Sequence, residues 1–185
     1  MNFHARPLVT YTLNADDLIA STGADWAAFA QENGARELTE ESVVGRSLWD
    51  FISDDGTRQV YKSIFRRVRL GGGPCLFPIR CDSPTMWRRV MMRVSKPSND
   101  LIALECSLID SRTRRLLQLL DVSSHRDENR LTLCSFCLKG LVEPLGWIEI
   151  EDAAKCLRLL EQTTAPQVVY AVCPTCEKLA EQLIQ

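Results

Sequence analysis

The chain has 185 residues, enough for one domain of ordinary size with a small one beside it. Hydrophobic residues make up 45% and charged residues 25%, a globular composition rather than a disordered one, and the net charge of -2 leaves no bulk electrostatic case for nucleic acid or an anionic membrane. No apolar run reaches the length of a membrane-spanning helix, and Met1 to Thr10 lacks the apolar core and cleavage site of a secretory signal, so a cytoplasmic protein is expected.

Residues 1–12 read as an N-terminal tail. Leu18-Ile19-Ala20 is a short strand. Thr22 caps a helix over 24–31 with Trp26 and Phe29 inward, and Gly34 suits its stop. A turn through Val43-Val44-Gly45 leads to a short helix ending near Ile52. Ser53-Asp54-Asp55 then caps a longer helix to about Leu70, whose apolar stripe is Val60, Tyr61, Ile64, Phe65 and Val68. Gly71-Gly72-Gly73 ends it. Three runs of strand period follow: Cys75, Phe77, Ile79 and Cys81; then Val90, Met92 and Val94; then Ile102, Leu104, Cys106 and Leu108. Asp82-Ser83-Pro84 and Pro97-Ser98-Asn99-Asp100 supply the turns between them. Residues 112–130 read as a linker, helical to Leu120 and polar after it.

The last third, 131–185, carries the sharpest signal. Cys134-Ser135-Phe136-Cys137 opens it and Cys173-Pro174-Thr175-Cys176 closes it. Two residues between paired cysteines let both sulfurs turn onto one ion, and two such pairs supply the four thiolates of a tetrahedral zinc site. Pro174 suits the first turn of a helix continuing through Ile184, so Cys173 is expected at the end of a strand and Cys176 in the first helical turn. This is the layout of a treble-clef site. The thirty-five residues between the pairs exceed the usual ribbon spacing of about 15 to 20, so the insert must hold structure of its own. Ala153, Ala154, Leu157 and Leu160 recur at helical spacing, and Val168 to Val172 reads as the strand that delivers the second pair. Reduced inert thiols, or disulfides in an oxidising compartment, are the alternatives. Cys156 reads as core. His125 is a weaker candidate ligand, since four cysteines already fill a structural site.

Charge is uneven. Nine Lys or Arg residues lie between Arg58 and Arg93, with Asp82 the only acid, whereas 131–185 holds four bases and seven acids. The two regions either face each other or form separate solvated surfaces. Arg80 and Asp82 read as a surface pair.

Certain segments resemble a known family. Asp25 to Asn33 resembles the first helix of PAS domains. Val44-Gly45-Arg46-Ser47-Leu48-Trp49-Asp50-Phe51-Ile52 resembles their Val-Gly-Arg segment and short helix, and Phe77 to Pro84 resembles a strand-turn of bacterial PAS-like sensory proteins. The cysteine pairs with Gly146-Trp147 resemble a module attached to bacterial PAS and signalling proteins. The resemblance implies an α+β fold. A PAS-like antiparallel sheet with helices on one face, over 13–111, precedes a small zinc-binding α+β module at 131–185.

It also implies a space between sheet and helices for a small ligand. Haem and flavin are not expected there. The histidines are His4 and His125, outside the long helix, and the Asn-Cys-Arg motif of flavin photosensors is absent. Cys75, Cys81 and Cys106 face inward and read as small core residues, with redox sensing the alternative. No output domain and no catalytic constellation is legible. The expected function is non-enzymatic signalling: a sensing or dimerising PAS-like domain, and a structural zinc held by Cys134, Cys137, Cys173 and Cys176 in a module that folds on its metal and contacts a protein partner. A nucleic-acid-binding transcriptional regulator and a thiol redox sensor are the alternatives, the first disfavoured by the acidic module.

Overall fold

A computed structural model describes residues 7–98 and 100–184. The expected tail before residue 7, with His4, and the turn residue Asn99 lie outside them.

Two sheets are present. The larger is built from β1 (Pro7–Leu13), β2 (Ile19–Thr22), β3 (Cys75–Arg80), β4 (Met86–Ser98) and β5 (Leu101–Thr113), in the order β2-β1-β5-β4-β3. All its neighbours are antiparallel. The register aligns Phe77 with Met92, Met92 with Cys106 and Cys106 with Val9, a buried row across four strands. This row is the period-two pattern expressed in space: alternate residues share a face, and that face is covered.

Residues 7–12, read as tail, are instead part of β1, which pairs with both β2 and β5. Val9, Tyr11 and Leu13 alternate with threonines. A strand has no internal hydrogen bonds, and these residues become one only through partners far along the chain.

Between β2 and β3 lie α1 (Trp26–Glu32), α2 (Glu40–Val43), a 3₁₀ turn at Leu48–Phe51 and α3 (Asp55–Arg69). Asp54 caps α3 by accepting from the Thr57 amide at 2.9 Å. Arg66, Arg67 and Arg69 fill its last turn, where cations favour the helix dipole. Its stripe of Val60, Ile64, Phe65 and Val68 is buried against the sheet.

The remaining chain forms β6 (Arg126–Cys134), β7 (Gly140–Val142), β8 (Gly146–Ile148), α4 (Ile150–Cys156), β9 (Ala165–Ala171) and α5 (Pro174–Ile184). The second sheet has the order β8-β7-β6-β9, with β6 and β9 parallel. Gly140 admits α4 closely: a Cβ there would stand 3.0 Å from that of Ala153. The helix stops at Cys156, with Arg158 in the left-handed region, so Cys156 is exposed rather than core and Leu159 turns inward in place of Leu157.

The expected linker is largely structured and packed. β5 runs on to Thr113, the expected helix is only a 3₁₀ turn at Gln118–Leu120, and Leu117 and Leu119 are buried with Leu131, Leu133, Ile150 and Ala153. More consequentially, the main core crosses from the first sheet into the cysteine module. It includes Cys134, Phe136, Cys173, Cys176 and Ala180 alongside Phe65, Phe77 and Met92. Phe136 is 1% exposed, with its ring 4.8 Å from that of Phe77 and 5.7 Å from that of Tyr61. The module, expected to fold on its metal alone, shares its core with the sheet.

Candidate metal centre

Parallel pairing of β6 and β9 creates the site. Cys134, the last residue of β6, lies in register with Ala171, the last of β9. Both chains therefore leave the sheet at the same end, and the two cysteine pairs meet there. The first forms a knuckle: the Leu138 amide donates to the Cys134 carbonyl at 2.9 Å, Leu138 takes a φ of 57°, and the Cys134 amide donates to the Lys139 carbonyl at 2.8 Å. The second pair straddles the start of α5, where the Glu177 amide donates to the Cys173 carbonyl at 3.0 Å.

The sulfurs of Cys134, Cys137, Cys173 and Cys176 all lie within 4.8 Å of one another, and those of Cys137 and Cys173 are 3.6 Å apart. Ligands about 2.3 Å from a tetrahedral ion stand about 3.8 Å from each other, so the cluster has the dimensions of a four-thiolate centre. Cys134, Cys173 and Cys176 are buried and Cys137 is half-buried. The Cys173 amide donates to the Cys134 sulfur at 3.4 Å, the kind of outer contact that steadies a thiolate ligand.

The thiols of Cys134, Cys137 and Cys176 share protons among themselves. Hydrogen bonds from the Cys137 and Cys176 thiols hold the Cys134 thiol far below its ordinary value. The same bond to Cys134 pushes Cys137 up to about 12, and Cys176 is raised further by both neighbours. Four sulfurs this close cannot all ionise without a cation, and a divalent metal would remove that restraint.

The knuckle is fastened to α3. Thr57 donates to the Ser135 hydroxyl at 2.6 Å, which donates to Asp54 at 3.1 Å, and the Arg80 amide donates to the Phe136 carbonyl at 2.7 Å. Ser135 and Phe136 thus lie inside a cysteine motif and dock it. Their role was invisible in sequence, except that an apolar residue between two clustered cysteines has nothing local to bury against.

His125 lies elsewhere. Its carbonyl accepts from the Ala165 amide at the far end of β6 and β9, and among the described residues the cluster that could hold a metal ion is made of the four cysteines. Cys75 and Cys106 are buried in the sheet core, and burial pushes Cys106 up to about 12.

Arg80 and Asp82 are not a surface pair. The Asp82 side chain is fully buried between Arg80 and Arg114, which donates to it at 2.8 Å. Both arginines also reach Glu151 at 2.9 Å, and Arg80 reaches Glu149 at 3.2 Å. The basic centre of the chain and its acidic module meet at this cluster.

The sheet order with helices between β2 and β3 and an antiparallel meander after them can be compared with known proteins. The first part of the chain is an antiparallel five-stranded sheet with several helices, an α+β unit. No family model and no curated protein matches the sequence. Among solved structures the chain is similar to a domain of an HTR-like protein from Haloarcula marismortui ATCC 43049, at 16% identity and a TM-score of 0.39, covering 55% of this chain and 97% of that one. It is also similar to the Cronobacter turicensis RpfR quorum-sensing receptor PAS domain, in complexes with C12:0 and with BDSF. Each is 14% identical with a TM-score of 0.39, covering 58% of this chain and 99% of that one. No helix among the described residues is long and apolar enough to cross a membrane.

Proposed function

We propose that the chain is a non-enzymatic signalling protein in which the PAS-like domain senses a ligand or dimerises, and a structural zinc on Cys134, Cys137, Cys173 and Cys176 holds the module that meets its partner. The observation that carries this reading is the placement of four close sulfurs in the same core as the sheet. Four sulfur ligands close a tetrahedral site, so the zinc would stabilise the fold and leave no position for a reacting water. Cys137 and Cys176 would give up their protons to a bound zinc, and the buried amide contact to Cys134 is already in place.

Protein contact is supported by β9. It is the outer strand of its sheet, and Val169 and Tyr170 on it are exposed. An open strand edge with apolar side chains suits pairing with a partner or with a second copy. Nucleic-acid binding is less favoured, because Arg80, Arg88 and Arg114 are buried in ion pairs rather than offered to phosphates.

Native mass spectrometry of protein purified without chelator tests the reading. One zinc per chain is expected, with no haem or flavin mass. Protein that retains its fold and carries no metal would overturn it.

A further inference from the structure

Phe136 fills part of the space between the first sheet and α3, packed on Phe77 and Tyr61. What stays open is a cleft of about 540 Å³ at the seam between the PAS-like part and the cysteine module. That volume lies in the usual range of small-molecule pockets, about 300 to 1,000 Å³. Its walls come from separate regions: Tyr11 on the sheet, Cys81 just after β3, Tyr61 on α3, Leu120 before β6, and Leu138 and Val168 in the module. At its lining Phe51, Val122 and Tyr170 are 37%, 69% and 40% exposed, apolar surface left in water.

The polar groups of the cleft define what it can hold. Every charged group in its wall is already hydrogen-bonded. Asp54 accepts from Thr57 and Ser135, and Asp82 and Arg80 hold each other. Arg126 donates to the carbonyls of Leu119, Pro166 and Asp121. The Cys81 thiol, pushed up to about 11 by burial, stays neutral. Among the described residues no cation in the wall stands without partners, so a carboxylate or phosphate would have to displace bonds already made. The Tyr61 hydroxyl is different: it reaches the Met92 sulfur at 3.5 Å, a weak acceptor, and so keeps a donor for something better.

We propose that the cleft is a composite binding site for an uncharged, mainly apolar small molecule bearing one hydrogen-bond-accepting oxygen, with one wall supplied by the metal-held module. The inference rests on the zinc-module reading and adds the class of ligand and its linkage to the metal. Leu138 and Ser135 belong to the knuckle, so the ion that orders the knuckle also orders the wall. A ligand that needs that wall then favours the metal-bound state, and the metal favours the ligand by the same factor.

The probe is prodan, an uncharged naphthalene ketone with environment-sensitive emission, titrated into the full zinc-loaded chain. Saturable binding of one prodan per chain is expected. Anilinonaphthalene sulfonate, of similar size but anionic, should bind about tenfold more weakly or worse, because a buried charge without a partner is strongly disfavoured. Val122→Trp, which adds bulk at the lining from an exposed position, should weaken prodan about tenfold, equivalent to about 1.4 kcal/mol of lost binding, with zinc content and melting unchanged. Tyr61→Phe should weaken it several-fold, the effect of one lost hydrogen bond. Saturating prodan should slow zinc loss to a chelator in the unaltered protein and not in Val122→Trp.

Absence of saturable prodan binding, equal binding of the sulfonate, or full binding to Val122→Trp overturns the composite site and leaves the zinc reading standing. Prodan binding that has no effect on zinc loss overturns the metal-held wall. A chain without zinc overturns both that wall and the reading beneath it, and the mass spectrum reports this separately.

Discussion

Phe136→Ala is the most telling perturbation of this fold. The side chain is 1% exposed, belongs to the cysteine knuckle, and packs on the sheet and on α3 through Phe77 and Tyr61. Truncating a buried phenylalanine costs about 3 to 5 kcal/mol, from lost transfer energy and the cavity left behind. Its two ring contacts place it toward the upper end, since aromatic pairs add about 0.5 to 1.5 kcal/mol beyond burial. Whole-domain stabilities are about 5 to 15 kcal/mol, so the loss is a large share of the total. For a chain of this length it corresponds to a melting temperature lower by about 6 to 20 °C. The distribution of the effect matters more than its size. Because the core runs from the sheet into the module, the zinc-loaded variant should still unfold in one transition, shifted as a whole. Tryptophan fluorescence and far-ultraviolet circular dichroism, followed together through a urea titration, measure this. Two separated transitions, with only the module's moved, would show that the parts do not share a core. So would a loss under about 1 kcal/mol, the range of surface substitutions.

Cys→Ser at 134, 137, 173 or 176 should abolish stoichiometric zinc and, given the shared core, loosen α3 and the first sheet as well as the module. Cys156→Ser, at an exposed position, should leave zinc at one per chain, and a metal assay on each purified variant decides it. Asp82→Ala leaves Arg80 and Arg114 with Glu151 and Glu149 but without their one fully buried partner, and should cost about 1.5 to 3 kcal/mol in denaturant unfolding, the range for a lost hydrogen bond to a charged group; a loss near zero would mean that the cluster is solvated. Burial alone would raise the Glu151 carboxyl, but its backbone hydrogen bond and the charges of Arg80 and Arg114 outweigh that and hold it below its ordinary 4.5. A depressed folded-state value gives stability that is present above the unfolded value and lost as pH falls through the folded one. The melting gap between the unaltered protein and Glu151→Gln should therefore be full above about pH 4.5 and narrow below it. A gap that widens on acidification would contradict the sign.

Local chemistry was legible in the sequence. Two C-x-x-C pairs, with a proline in the second and a helical run after it, specify a knuckle and a helix start within a few residues each, and α5 begins at Pro174 as that pattern requires. The cap at Asp54 and the stripe of α3 are likewise set by neighbours three and four positions apart. The alternation in β3, β4 and β5 declared a face to be buried. Other features depend on contacts between distant residues, and only the tertiary structure decided them. β1 exists because β2 and β5 flank it, and its seven residues carry no signal that separates a strand from a tail except alternation. The parallel match of β6 with β9 brings two cysteine pairs to one point across thirty-six positions, from Cys137 to Cys173. Asp82 looked like a surface acid until Arg80, Arg114 and Glu151 closed around it from three parts of the chain. Phe136 could have covered any apolar surface. That it enters the core of the sheet, making one body of two apparent modules, follows from three-dimensional packing that no spacing along the chain encodes.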